Sequence, residues 1–331
     1  MINLHNRTVS TVTFLLSGIP GMEEYYTWLA LPLCCFYINT LIANIIVLVV
    51  IEKEENLHLP MYFFISMLMA ADLVVSNTFL PKFLSLLLFN SREISFEGCL
   101  IQMFLVMAFT VMVSSILLAM AFDRYIAICN PLRYTTIINK SVLTKIACAV
   151  IFKGVLLALP LPFYFQSLPF CRSTEVAYTY CESLAVAKLA CAEITFNYMY
   201  GMVLAALVGG FDSISILLSY VWIVRTIFKM PSKDSRHKAV STCTAHISVI
   251  LIGYVPGLLT GITSRFGTNS SLHFQTLLPN LYLVVSPMAN PIIFGLKTKE
   301  IQKKILHLLK PSSLLLKNQK PHQNQKVLFQ N

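Results

Sequence analysis

Tyr25 to Ile51 reads YYTWLALPLCCFYINTLIANIIVLVVI, a run without a single charged residue, bounded by Glu23-Glu24 before it and Glu52-Lys53 after it. Crossing roughly 30 Å of hydrocarbon at 1.5 Å per residue takes about 20 mostly apolar residues. The run exceeds that length. Inside lipid every backbone N–H and C=O must be paired within the segment or in a closed barrel. Barrel strands would alternate apolar and polar over about ten residues. Nothing alternates here, so the run reads as a transmembrane helix.

Working outward, six further runs have the same character. They span 59–80, broken only by Asp72; 99–122; 146–165, broken by Lys153; 194–224, broken by Asp212; 239–264, which contains His246; and 274–296. With the first run, 25–51, that makes seven. The chain has 331 residues, 56% hydrophobic and 12% charged, against about 25% charged in ordinary soluble domains. The fold class expected is an all-α membrane protein, a seven-transmembrane helix bundle. After the last span, Ile301, Ile305, Leu308 and Leu309 share one helical face beside Lys303, Lys304 and Lys310. Residues 297–310 therefore read as a short amphipathic eighth helix on the membrane interface, with 311–331 as a tail. No cysteine follows Cys243, so no palmitoyl anchor is expected there.

Three signals set the expected orientation. Lys and Arg favour the cytoplasmic side of short loops. With the amino terminus outside, eighteen of them fall inside, against six outside (Arg7, Lys82, Arg92, Arg172, Lys188 and Arg265). Asn6-Arg7-Thr8 is a glycosylation acceptor, usable only outside, within the expected extracellular segment 1–24. Cys99, Cys171, Cys181 and Cys191 all fall in loops of the same side, where disulfides persist; four cysteines allow three connectivities. No cleaved signal peptide is recognised, so the first span should serve as its own insertion signal. The net charge of +10 sits in short loops and the tail with no nucleic-acid-binding pattern, so no nucleic-acid partner is expected. Membrane lipid is, in a plasma-membrane location.

The span ends carry the informative motifs. Met120-Ala121-Phe122-Asp123-Arg124-Tyr125-Ile126-Ala127-Ile128-Cys129 is similar to the MAFDRYVAIC string of olfactory receptors, in the rhodopsin-like G-protein-coupled receptor superfamily. Leu59-Pro60-Met61-Tyr62-Phe63-Phe64 resembles their LHxPMYFF motif, and Lys238-Ala239-Val240-Ser241-Thr242-Cys243 their KAFSTC motif. Pro287-Met288-Ala289-Asn290-Pro291-Ile292-Ile293-Phe294-Gly295 resembles PxxNPIIYG, and Ser219-Tyr220 matches the inner end of the fifth helix. Gly18-Ile19-Pro20-Gly21 and Ser264-Arg265-Phe266-Gly267 resemble the fish-like, class I, branch of that family.

The resemblance implies roles for particular residues. Arg124 would be held by Asp123 at rest, beside Tyr125, and would meet a G protein when the bundle opens. Asp72, too costly to bury in lipid and so facing the bundle, would form a polar switch with Asn44 and Asn290. Relatives usually carry Glu where this chain has Val113, which argues against their sodium site. Pro291 lacks an N–H and would make a hinge; Phe294 replaces the usual Tyr, weakening any link to Tyr220. The resemblance also implies the disulfides Cys99–Cys181 and Cys171–Cys191, the second closing a loop that serves as a lid.

For the ligand, the resemblance implies a small odorant in the bundle. Phe104, Met107, Thr110, Leu204, Leu258 and Gly261 would form a mostly apolar pocket, and Arg265 at the outer end of the sixth helix would meet a carboxylic acid. The plain alternative is that Arg265 is a boundary charge. Gly253, Gly257 and Gly261 recur every fourth residue around Pro256, which reads as a kink with room for a ligand. Lys153, Asp212 and His246 are single polar residues within spans; Lys153 reads as bundle-facing or snorkelling, the others as internal hydrogen-bonding groups. The implied partner is a stimulatory, olfactory-type heterotrimeric G protein that raises cAMP. No cofactor and no metal site is expected, and no nucleophile–base or HExxH pattern indicates an enzyme. The alternatives are a metabolite sensor of the same family working outside the nose and, from another class, a polytopic transporter, which would show paired broken helices and repeats.

Overall fold

The computed structural model describes residues 13–19, 21–171, 173–266 and 272–309; the side chains at 238, 264–266, 272–275, 308 and 309 are outside that description. Asn6 and the tail 311–331 lie outside the described residues. Among the described residues the chain is mostly helical, with seven helices long and apolar enough to cross a membrane. We label them α1 (Tyr26–Lys53), α2 (Pro60–Phe89), α3 (Phe96–Cys129), α4 (Lys140–Ala158, continued by Pro160–Gln166), α5 (Thr195–Lys229), α6 (Lys233–Val249, then through to Phe266) and α7 (Leu272–Lys297). A short amphipathic helix, α8 (Lys299–Leu309), follows.

Several helices run well past the apolar stretches that reveal them. Apolarity ends where lipid ends, whereas helical hydrogen bonding continues until something caps it. α2 begins with Pro60 in its first turn, where a missing N–H costs nothing. It ends at Phe89 because Asn90 adopts the left-handed conformation, φ 50°, and returns its N–H to the Ser85 carbonyl. α3 starts at Phe96 because the Ser95 side chain accepts from the Gly98 N–H at 3.1 Å.

α2 and α3 are the enclosed centre, while α4 lies outermost and turns Ile151 and Phe152 away from the protein. Such exposed apolar side chains face lipid in a spanning bundle. The buried side chains form two clusters, one at each end of the bundle. α5 and α6 each contain a π-helical stretch, Ala205–Asp212 and Ile250–Tyr254. Such stretches recur at functional sites because they rotate the following helix by a fraction of a turn. The glycine series of α6 brings that helix against α7. A Cβ at Gly253 would meet Ser286 Oγ at 2.6 Å and one at Gly257 would meet Tyr282 at 2.9 Å, whereas Gly261 faces open space.

A small sheet, which the helical reading did not anticipate, closes one end. β1 (Thr13–Leu16) lies between β2 (Glu93–Ser95), antiparallel, and β3 (Glu175–Val176), parallel. Thr13 faces Ser95 and Leu15 faces Glu175. Side chains alternate across a strand, so Phe14 and Leu16 point inward and are fully buried. Phe14 packs edge-on to Phe170 at 5.2 Å. Just beyond, Tyr26 Oη accepts from the Ile19 N–H at 3.0 Å. The turn that permits this places Gly18 at φ 77°, with a hypothetical Cβ 2.2 Å from that phenol oxygen.

α8 lies against the far end of α1 and α7. Ile301 is fully buried, Ile305 packs beside it, and Lys304 pairs with Glu54 in the loop after α1.

Candidate functional site

The loop after α4 roofs the bundle, and its attachments are specific. Cys181 is bonded to Cys99 at the start of α3, and Cys171 to Cys191 within the loop. The Cys181 N–H donates to Gln102 Oε1 at 2.9 Å, and Gln102 Nε2 donates to the Thr78 carbonyl of α2 at 3.1 Å. Thr179 Oγ1 donates to Asn280 Oδ1 of α7 at 2.5 Å. The roof is thereby tied to three helices. Burial first, and then the neighbouring Glu182 carboxylate, push the Tyr178 and Tyr180 phenols well above their ordinary value. Both remain neutral at physiological pH.

Beneath this roof lies a cavity of about 490 Å³, bounded by α3, α5, α6 and α7. That is within the usual range for a small-molecule site. Five of the expected residues, Met107, Thr110, Leu204, Leu258 and Gly261, line it. Phe104, expected beside them, is not among the lining residues. The α3 side of the cavity is the stripe Met103, Met107, Thr110, Ser114 and Leu117, at helical spacing. Phe104 is turned about 100° from Met103 and packs, half-buried, against the core cluster at the Asp-Arg-Tyr end of the bundle. Arg265 is on α6 one turn beyond Gly261, but its side chain lies outside those described.

The cavity floor is polar, and here the isolated ionisable residues of the sequence find partners. Lys153 of α4 donates to both carboxylate oxygens of Asp212 on α5 at 2.9 Å. Asp212, fully buried, also accepts from Ser114 Oγ of α3 at 2.7 Å. Tyr254 of α6 donates to the Val208 carbonyl at 2.8 Å, within the π-helical stretch of α5. Lys153 is thus an ion-pair partner rather than a snorkelling residue. Burying two charges in lipid is tolerable only when they are paired and their remaining valences are met.

A second polar layer lies next to the floor. Asn290 Nδ2 donates to Asp72 Oδ2 at 2.9 Å, both residues being buried. Asn44 Nδ2 donates to the Pro287 carbonyl of α7 at 2.9 Å and to the Thr40 carbonyl of its own helix at 2.8 Å. Pro291, four residues after Pro287, has no N–H to give that carbonyl, so Asn44 occupies the place of a lost helical bond. Val113 lies along the cavity instead of presenting a carboxylate to this layer. Among the described residues no group of three His, Cys, Asp or Glu side chains is placed to hold a metal.

At the opposite end of the bundle, Asp123 is fully buried and accepts from Arg124 Nε at 2.9 Å and Nη2 at 2.5 Å. Its other oxygen accepts from the Tyr134 hydroxyl at 2.7 Å. Tyr134 opens the one-turn helix Tyr134–Ile137 in the connection after α3 and was not singled out from the sequence. Burial, then the adjacent Asp123 charge, push its phenol well above its ordinary value, so it is always a donor to the carboxylate. Tyr220 bonds His246 Nδ1 at 2.8 Å, joining α5 to α6. Phe294 is buried in the core cluster of this end, and Tyr125 lies beside Phe122 with ring centroids 6.5 Å apart.

Residues 33–311 match the family described as olfactory receptor. Olfactory receptor 52D1 of Homo sapiens is 46% identical over 298 residues, covering 90% of this chain and 94% of its own length. Olfactory receptor 52B2 of Homo sapiens is 47% identical over 294 residues, 89% of this chain and 91% of its own. Olfactory receptor 52N5 of Homo sapiens is 45% identical over 302 residues, 90% and 93% respectively. With seven membrane-crossing helices beneath a disulfide-tied roof and identities of this size over nine-tenths of the chain, the protein belongs to the olfactory receptor family, in its class I branch, and is a multi-pass membrane receptor rather than an enzyme.

Proposed function

We propose that this receptor sits in the plasma membrane with its amino terminus and disulfide-bonded loop outside, and binds a small carboxylic acid odorant in the cavity between α3, α5, α6 and α7. Binding then opens the Asp123–Arg124 end to a stimulatory, olfactory-type G protein, and cAMP rises. The observation that carries this reading is the pairing of a roofed cavity of ligand size at one end of the bundle with an Arg124 held closed by Asp123 at the other. The apolar wall formed by Met107, Leu204 and Leu258 suits an alkyl chain. The acid preference rests on Arg265, one helical turn beyond Gly261. Asp72, Asn44, Asn290 and Pro291 supply the polar joint between α1, α2 and α7 at which the bundle would rearrange, with Tyr220 and Phe294 on its inner side.

The test is cAMP in cells expressing the chain, challenged with straight-chain carboxylic acids of graded length, beside an Arg265→Ala variant at matched surface expression. A length-dependent response that the variant loses supports the reading. A response that survives in the variant removes Arg265 from the ligand site and leaves an apolar odorant as the ligand class.

A further inference from the structure

We propose that Arg225 and Lys229, on the outer face of α5 at the Asp123–Arg124 end, form a site for the head of an anionic phospholipid, with an acyl chain lying along the same face. The inference needs only that the bundle spans a membrane, and it stands apart from the odorant reading.

The rotation of α5 decides what each of its faces carries. Ile216 and Ile223 are buried, and Thr226 Oγ1 lies 3.2 Å from Cys129 Sγ of α3, so that side packs inward. The opposite side is one stripe. At about 100° per residue, Ile214, Leu218, Trp222, Arg225 and Lys229 fall within roughly a quarter-turn of one another. All five are exposed. The stripe is apolar through Trp222 and cationic from Arg225 onward. From Ile214 to Arg225 it rises about 16 Å, close to the hydrocarbon depth of one leaflet.

The cationic end is set up in advance. The Arg225 guanidinium carbon lies 5.4 Å from the centroid of the Trp222 ring. This cation–π contact holds the guanidinium over the ring while leaving its N–H groups available to an anion. Lys229 is one helical turn further on, where side chains of one face are neighbours. Among the described residues neither cation forms a salt bridge, whereas Arg124, Lys153 and Lys304 each have a carboxylate. From Arg225 to Lys238 the sequence has five Lys and Arg residues and a single acid, Asp234. A headgroup phosphate supplies the missing counter-charge, and the planar guanidinium can take two of its oxygens at once. Trp222 marks the level at which amphipathic rings meet headgroups. The glycerol attached to that phosphate then directs an acyl chain down Leu218 and Ile214. A zwitterionic lipid brings its own ammonium to the same place and gains less, so the site favours a net negative head.

The chain has two tryptophans, Trp28 and Trp222, and each can report on the lipid beside it. The full chain carrying Trp28→Phe is reconstituted in dioleoylphosphatidylcholine vesicles, and the lipid is replaced stepwise by acyl-brominated phosphatidylserine or acyl-brominated phosphatidylcholine. Quenching of Trp222 then gives the relative binding constant of the two lipids at the stripe. The expected result is a preference for phosphatidylserine of about tenfold, from two cations near the surface. It should fall toward unity in Arg225→Gln/Lys229→Gln, and be reduced without being lost in Arg225→Lys, which keeps the charge but not the planar fork. Both side chains are exposed, so these variants leave the packing of α5 on α3 unchanged. At Trp28, read in Trp222→Phe, the constant should be near unity. Equal constants at Trp222 and Trp28 would overturn the proposal; a fall in ligand-free cAMP in the double Gln variant at matched surface expression would then assign the two cations to a G-protein contact. A preference at Trp222 that persists in the double Gln variant would also overturn it, by removing Arg225 and Lys229 from the cause.

Discussion

The bond from Asn44 to the Pro287 carbonyl can be tested as a substitute for a helical hydrogen bond. In an uninterrupted helix that carbonyl would accept from the N–H of residue 291; position 291 is proline, and Asn44 of α1 donates instead at 2.9 Å. Asn44→Ala leaves the carbonyl buried and unpaired, at a cost of about 1–3 kcal/mol. Pro291→Ala restores the native donor and makes Asn44 dispensable to that atom. The double variant should therefore be more stable than the sum of the two single effects gives, with a coupling on the order of 1 kcal/mol. Thermal melting of the purified receptor and its three variants, in one detergent, measures the cycle. Strict additivity would refute the reasoning. It would mean that Asn44 acts through its own helix, by way of the Thr40 carbonyl, and that α1 and α7 are not joined through Pro287.

Tyr134→Phe removes a hydrogen bond to the buried Asp123 carboxylate, a bond of about 1.5–3 kcal/mol, so ligand-free cAMP at matched surface expression should rise about tenfold or more. An unchanged basal level would place Tyr134 outside the resting lock. Gly18→Ala forces a side chain onto the Tyr26 phenol at a left-handed φ; a loss of at least about 1 kcal/mol is expected in the same melting assay. Cys99→Ser/Cys181→Ser opens a closure of 82 residues and Cys171→Ser/Cys191→Ser one of 20; on loop entropy these cost roughly 4.5 and 3 kcal/mol, so the first pair should melt lower. Lys304→Ala breaks a partly exposed ion pair with Glu54 and should change stability by less than about 1 kcal/mol.

Much of the architecture is readable from the sequence because lipid enforces a single rule on every span. Tyr25 to Ile51 announces a helix by length and lack of charge, with no reference to its neighbours. Partner choice is a different matter, since it depends on how each helix is rotated. Lys153 and Asp212 are 59 residues apart on different helices, and only the turning of α4 toward α5 makes them a pair. The same cause separates Met103 from Phe104: one residue along a helix swings a side chain by about 100°, from the cavity to the packing behind it. Tyr134 carries no periodic signal because its helix, Tyr134–Ile137, is a single turn. β1 is four residues of alternating burial, too short to stand out from a polar leader before its partners are known.

That strand also sets an order of events during synthesis. β1 leaves the ribosome before any of the seven helices, but its neighbours are made much later: Ser17 bonds Glu175, 158 residues along the chain. Contacts of such sequence separation form slowly and leave an unpaired edge exposed meanwhile. The roof cannot be completed until four helices have been inserted and the loop after α4 has been released. Its tie from Thr179 to Asn280 must wait for α7. A nascent receptor therefore carries an open strand edge through most of its synthesis, and residues 13–19 are among the first made and among the last to be paired.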